Sequence, residues 1–560
     1  SDELRLRYAD DPDAPGWMVF DDAPNLNNAL TIGTGGALSS AKLTNGKIVV
    51  GTSGATGNFS FAGGKVFDFL ADNVTQLNQF VNIIARYTGN IAGRHTGTWV
   101  ADTSVPTIVN SSINDVSMTI LPDAPIDPAT GLPVPTIAVA TDGGVSVIKD
   151  DGTVVDSAET YAIHNVSFFQ DGTLTYSRDG GTALRISASY TADGFSGTDI
   201  SAGNVPSVTP VNQSSVLTAT GGNRDFFGAS STGVSHFLRD SSSINKSMVA
   251  YTTSTYNTGW MVGDNKGAFL SDTDDSDLVG GTDADRSVNG NDLTVNGTVT
   301  RTAVATGADL VTYSGFSASN YLEQPYNSDL DFGTGDFCVM GWFKTGDNST
   351  SVKQIFERTD RDLGFTGGGQ IVCEIDGTTT QGAFEVSISD DNFSTADTAR
   401  TSGVFDDGVW HFFAVLKTSS DLMVYMDGEL QATTAISAAA GSLSNANAKF
   451  SVGARVGGAS PFDVAGAGLA LLRISATAAT AEQIAKIYNE EKFLFQEDAQ
   501  ATLYGASDAV TALAHDDVTD LLHVGTSAGR SDFQGLRRVS NTTSAVSTAI
   551  SASNGLIVEQ

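Results

Sequence analysis

In Leu330-Asp-Phe-Gly-Thr-Gly-Asp-Phe-Cys-Val-Met-Gly-Trp-Phe343, the residues Phe337, Val339, Gly341 and Phe343 alternate with Cys338, Met340 and Trp342. Successive side chains of a strand point to opposite faces, so this strand is apolar on both. That is the pattern of a strand inside a β-sandwich. Further along, Tyr425-Met-Asp427-Gly428-Glu429 supplies a hairpin turn, with glycine where a positive φ is needed.

Three further segments follow in order: Val404-Phe-Asp-Asp-Gly-Val-Trp-His-Phe-Phe-Ala-Val415, Leu422-Met-Val-Tyr-Met-Asp-Gly-Glu429 and Phe450-Ser-Val-Gly-Ala-Arg455. Together with the first, they resemble a laminin G-like, concanavalin A-like jelly roll, assigned to residues 276–498. The resemblance implies a domain that binds glycans or proteins, often with calcium. It implies a site on the rim without identifying its ligands, and Asp347, Asp427 and Asp463 are the loop or turn carboxylates that qualify as metal candidates. Trp410 and His411 belong to the family pattern, with structural roles expected: the Trp in the core, the His packed or bonded at a strand start. The same fold hosts laminarinase-type glycoside hydrolases, which carry a Glu-x-Asp-x-x-Glu motif. The nearest match, Glu374-Ile-Asp376, has Thr379 in the third position, so the acid/base is missing and no catalytic residue is assigned.

Outside this region a short apolar strand, a Gly-containing turn and another strand recur. The copies are Ile48–Gly54, Ile137–Gly143, Leu174–Gly180, Phe226–Gly233 and Leu521–Gly529. Three are preceded by a strand with a shared opening: Asp115-Val-Ser-Met, Asn165-Val-Ser-Phe and Ala509-Val-Thr-Ala. Small antiparallel sheets that bury their faces only by stacking on neighbours predict a β-propeller. Val510 to Phe533 resembles the blades of two-component-regulator and related propellers, and Ser177-Arg-Asp-Gly-Gly-Thr-Ala-Leu184 resembles the Asp-box turn of sialidase-type propellers. The expected order is a propeller over 1–264, an acidic connector over 265–275, the inserted jelly roll over 276–498, and a closing propeller part over 499–560. At roughly 40–45 residues per blade the propeller would have about seven blades. Leu4 to Tyr8 and residues 501–560 are the candidates for closing the ring.

Two stretches have helical spacing. Phe67 to Tyr87 reads as a helix or as a strand with a loop, whereas Thr480 and Gln483 form a capping box ahead of Ile484, Ile487 and Tyr488. The acidic run Ser271–Asp277 with Asp283 and Asp285 reads as a solvated linker or a loose calcium site, since it lacks the EF-hand Gly and Glu.

The chain has 30 Lys and Arg against 64 Asp and Glu, a net charge of −34, which repels phosphate backbones and anionic headgroups and excludes nucleic acid as a partner. Cys338 and Cys373 lie in apolar surroundings and read as buried free thiols. The six histidines form no zinc motif. The start at Ser1 has no signal-peptide core, and no apolar run is long enough to insert in a membrane. Tyr251–Leu270, Asp285–Gly297 and Thr136–Ile148 resemble segments of large tail-fibre-like structural proteins of marine bacteriophages. The resulting expectation is a bacteriophage virion protein, a tail fibre or host-adsorption component that binds host-surface glycan through the jelly roll. It would contact other virion proteins and assemble as a homo-oligomer. The alternatives are a purely structural tail or capsid appendage subunit such as a tail nozzle, or a secreted bacterial adhesin or glycan-active protein.

Overall fold

The computed structural model describes residues 37–53, 63–71, 73–79, 107–128, 130–169, 171–178, 184–187, 190–199, 216–219, 225–240, 242–346, 351–391, 393–437, 440–516 and 518–543, together with the strands at 4–8, 18–20, 85–88, 100–101, 549–553 and 556–559. Strands and turns dominate, as a glycine-rich and charge-poor sequence favours.

Two stacked antiparallel sheets form a sandwich. Phe337–Lys344 lies in the middle of the first, between Gly468–Ser475 and Trp410–Lys417, with Asp421–Met426 and Glu429–Ala435 beyond. The second sheet runs Tyr321–Gln324, Lys449–Val452, Lys353–Thr359, Gln370–Ile375, Ala383–Ser389 and Asp397–Val404, with short strands at its edge. The predicted alternation holds residue by residue. Phe337, Val339 and Phe343 enter the core between the sheets, with Phe356, Phe384, Phe413 and Val415. Cys338, Met340 and Trp342 enter a second core on the outer side of the same sheet, with Phe412, Ala414 and Leu416. Asp427 at φ 51° and Gly428 at φ 85° make the two-residue turn between Asp421–Met426 and Glu429–Ala435. Both cysteines are free and buried.

The second core is closed by the helix Ala481–Glu491, which has the expected Thr480/Gln483 capping box, and by the strands Met248–Thr252 and Asn257–Val262. The expected connector over 265–275 needs correction. Asn265–Phe269 is itself a strand paired to Gly468–Ser475, because its buried Ala268 and Phe269 complete the sandwich edge. Phe67 to Tyr87 also holds strands, Gly64–Asp68, Asn73–Leu77 and Ala85–Thr88, with Phe67 opposite Val74 and Val74 opposite Tyr87.

The remaining sheets form a propeller-like arrangement with four four-stranded blades. A six-stranded sheet over residues 37–101 and a five-stranded sheet over 216–262 complete the circuit. Ala37–Thr44, Ile113–Thr119, Ile163–Phe168, Val216–Ala219, Val510–Asp516 and Ala549–Ser553 pack in that order, and the last returns to the first. Seven blades are therefore not formed. Two sheets take up more strands than a blade, so dividing length by a repeat overcounts. Each quoted repeat copy supplies the second strand of its sheet, and the shared openings fall on first strands. Leu4–Tyr8 pairs with Leu556–Glu559, Arg5 opposite Glu559, so the two ends of the chain share one sheet. The Asp-box turn, from Asp179 to Ala183, lies outside the described residues.

Candidate binding site at the sandwich rim

Strand pairing sets Lys344 directly opposite Trp410 and Trp342 opposite Phe412, all on the outer face of the first sheet. At this end the sheet runs past its helical cover. The result is an open cleft of about 450 Å³, bordered by Val304–Thr306, Trp342, Lys344, Gly408–Trp410, Tyr488, Lys492, Phe495 and Glu497. Trp342, 2 % exposed, is the floor. Its ring stacks on Phe495 at 4.3 Å and on Tyr488 at 5.9 Å, and Trp410 leans on Phe495 at 4.9 Å.

Hydrogen bonds hold the indoles in place. Trp342 Nε1 donates to Glu491 Oε2 at 2.8 Å, and Trp410 Nε1 donates to the Val304 carbonyl at 3.0 Å. With its indole N–H engaged, the half-buried Trp410 offers apolar ring surface to the cleft, and the half-buried Tyr488 borders it as well. The Lys492 ammonium sits over the Tyr488 ring at 5.1 Å and donates to Asn489 Oδ1 at 2.8 Å. Fixed aromatic surface with a few polar groups around it suits a ligand with an apolar face and polar edges.

Of the sequence-derived metal candidates, Asp427 and Asp463 lie among the described residues, each with a partner of its own. Asp427 accepts from the Phe412 amide at 3.0 Å and lies 2.8 Å from His411 Nδ1. His411 also reaches Asp407 at 3.1 Å, so it is bonded at a strand start as expected. Burial opposes its charge, but Asp427 and then Asp407 outweigh that and hold its pKa above the usual imidazole value. Asp463 pairs with Lys353 at 2.6 Å. Asp347 lies outside the described residues. Among the described residues no group of three or more His, Cys, Asp or Glu side chains could hold a metal ion.

The acidic run after residue 270 is solvated in part: residues 274–277 are exposed, whereas Asp272 and Asp283 are engaged inside the fold. Asp272 binds Arg286 at 2.5 Å and Arg301 at 2.8 Å, and Asp274 binds Arg301 at 2.9 Å. Asp283 is buried, accepting from Tyr313 Oη at 2.9 Å and the Leu270 amide at 3.1 Å. Burial, then the neighbouring Asp272, pushes its pKa up to about 7.

On the outer face of the second sheet, Glu374 and Glu385 are direct cross-strand neighbours. Arg455 donates to Glu374 at 3.0 Å, Arg400 pairs with Glu385, and Arg361 reaches Glu357 at 3.1 Å. Burial raises the Glu374 pKa, against the opposing pull of Arg455. Asp376 turns away into a loop, where it accepts from the Thr378, Thr379 and Thr380 amides at 2.7, 3.1 and 2.8 Å.

Trp410 was legible as a family residue expected in the core; it packs half-buried against the outer core and also borders the cleft. Lys344, Lys492 and Phe495 carried no signal of their own, because only strand pairing and helix docking bring them to Trp410. No helix among the described residues is long and apolar enough to cross a membrane.

Residues 316–485 match the family model described as the Concanavalin A-like lectin/glucanases superfamily. No curated protein matches the chain. Among solved structures, the binding domain of Paraclostridial Mosquitocidal Protein 1 is similar at 14 % identity and a TM-score of 0.30, over 44 % of this chain and 62 % of that one. Domain 4 of AbnA, a GH43 extracellular arabinanase from Geobacillus stearothermophilus in complex with arabinotriose, is similar at 18 % identity and a TM-score of 0.29, over 37 % and 92 %. The receptor binding domain of botulinum neurotoxin C/D mosaic serotype is similar at 13 % identity and a TM-score of 0.30, over 47 % and 62 %. The chain thus spans less than two thirds of the first of these, and at such scores the likenesses carry no argument about function.

Proposed function

We propose that this chain is a recognition protein whose sandwich binds host-surface glycan in the rim cleft, and that it acts as an adsorption component of a bacteriophage virion such as a tail fibre. The binding half is carried by the cleft, where Trp410 and Tyr488 expose ring surface beside Lys344, Lys492 and Glu497. Sugar rings have C–H faces that pack on aromatic rings, and edge hydroxyls that bond to charged groups. The lectin/glucanases family match over residues 316–485, which includes Trp342, Lys344 and Trp410 of the cleft, supports this reading. The virion half is supported by the acidic, cysteine-poor composition and by the tail-fibre-like segments around Tyr251–Leu270. In that role the chain would assemble as a homo-oligomer with other virion proteins. Calcium is a separate proposal, which rests on the acidity of the chain and not on any described cluster.

A glycan array probed with the full chain, in calcium and in chelator, tests the binding half. A glycan should be retained that Trp410→Phe weakens several-fold and Tyr488→Ala weakens at least tenfold, with both variants still folded by circular dichroism. Binding lost in chelator would support calcium; binding that ignores it would remove the metal. No retained glycan in either condition, with the chain folded, would favour the structural tail or capsid subunit. The virion half is tested by the neighbouring genes: tail and capsid genes are expected, and secretion genes would favour the adhesin alternative.

A further inference from the structure

The charge of the cleft runs against the charge of the chain. Across the sequence, 64 acidic residues face 30 basic ones. The cleft lining instead holds Lys344 and Lys492 against one carboxylate, Glu497, which is exposed. The nearby Asp407 is turned into its own loop, where it accepts from the Val409 amide at 3.0 Å and reaches His411 Nε2 at 3.1 Å. Lys344 is half-buried at the strand end and, among the described residues, has no ion pair or hydrogen bond. Lys492 is restrained over Tyr488 by a single neutral acceptor, Asn489. Within the cleft lining two ammonium groups beside fixed aromatic rings thus outnumber the single carboxylate, while Asp427 and Glu429 act on Tyr488 from beyond it.

From this we infer that the ligand of the cleft is an anionic saccharide, with a carboxylate or sulfate ester held between Lys344 and Lys492 and its ring lying on Trp410 and Tyr488. The inference rests on the glycan-binding reading of the same cleft and specifies its substrate class. A neutral sugar leaves the Lys344 ammonium without a counter-charge. An acidic one supplies a charge-assisted bond there, while its ring keeps the aromatic contacts. Glu497, at the mouth, is placed to accept from hydroxyls on the edge away from the anion. A carboxylated and a sulfated sugar share this chemistry.

Titration calorimetry of the full chain with three matched probes tests it: a galactose oligomer, a galacturonate oligomer and a sulfated galactose oligomer. At least one acidic probe should bind tenfold or more tightly than the neutral one, and the better of the two identifies the anion. Lys344→Gln and Lys492→Gln should each remove most of that preference, weakening the acidic probe far more than the neutral one. Raising salt from 50 to 500 mM should weaken the acidic probe several-fold and the neutral one little. Equal binding of acidic and neutral probes, or a preference unchanged by both lysine variants, would overturn this inference while leaving the glycan reading intact. If a folded chain binds none of the three and no array glycan, both fail together.

Discussion

At Asp376 a single carboxylate organises a turn, and its titration should be visible in the stability of the chain. Its oxygens accept from the amides of Thr378, Thr379 and Thr380. Burial works against the charge, but these bonds outweigh it and bring the pKa down to about 2. A carboxylate with a depressed folded pKa stabilises fully above its unfolded value of about 4, and that contribution is lost as pH falls toward 2. Roughly 2 kcal/mol is at stake. Urea unfolding at pH 5 and pH 2.5 should show a smaller acid-induced loss in Asp376→Asn than in the parent; equal losses would mean that the turn does not depend on the charge. The same residue shows what sequence could convey. Glu374-Ile-Asp376 half-matched a hydrolase motif, yet neighbouring threonines after an aspartate read equally well as an amide-binding turn, and the fold uses them that way. His411 was placed at a strand start by its own segment, which also supplies Asp407, whereas its second partner Asp427 comes from the next hairpin turn. Lys344 was not legible, because its importance comes from Trp410, 66 positions away in the chain and directly opposite it in the sheet.

Among the elements, the C-terminal end of the helix Ala481–Glu491 ties the sandwich to the neighbouring sheet. Glu491, fully buried, accepts from the Trp260 amide at 2.8 Å and from Trp342 Nε1 at 2.8 Å, and pairs with Arg473 at 2.9 Å. One carboxylate thus joins the helix, the strand Asn257–Val262 and two sandwich strands. Burial pushes its pKa up while Arg473 pulls it down. Removing one partner leaves the other charge buried and unpaired, so Glu491→Ala or Arg473→Ala should each cost about 3–5 kcal/mol. The double variant Glu491→Met with Arg473→Met should lose less than the sum of the two alanine losses, as read from urea midpoints. Additive losses would show that the pair is not coupled. The helix itself was readable from its capping box and 3.6-residue spacing. Its docking was not, because the spacing that puts Glu491 on the face of Ile484 and Ile487 does not name Arg473 as the partner that lets it be buried.

Over the whole molecule, strand identity and repeat positions were legible because alternation and turn chemistry are local. Blade number and domain edges were not, because they depend on how many hairpins each sheet recruits and on which sheet an edge strand joins. The strand Asn265–Phe269 lies before the expected jelly-roll start at 276 yet completes the sandwich. Met248, Ala250, Trp260 and Val262 also pack on the sandwich's outer core. A fragment of residues 276–498 would lose these side chains, each worth roughly 1.5–3 kcal/mol when fully buried for the larger ones. It should be insoluble or melt well below a fragment of residues 246–498, by differential scanning calorimetry. Equal melting of the two would show that the outer core is dispensable. The central claim, that recognition takes place in the rim cleft, is tested most directly by a crystal structure of the full chain soaked with its best-binding glycan. Sugar density against Trp410 and Tyr488, with its anion between Lys344 and Lys492, is the predicted result; density confined to another face, such as the Glu374 and Glu385 strands, would contradict it.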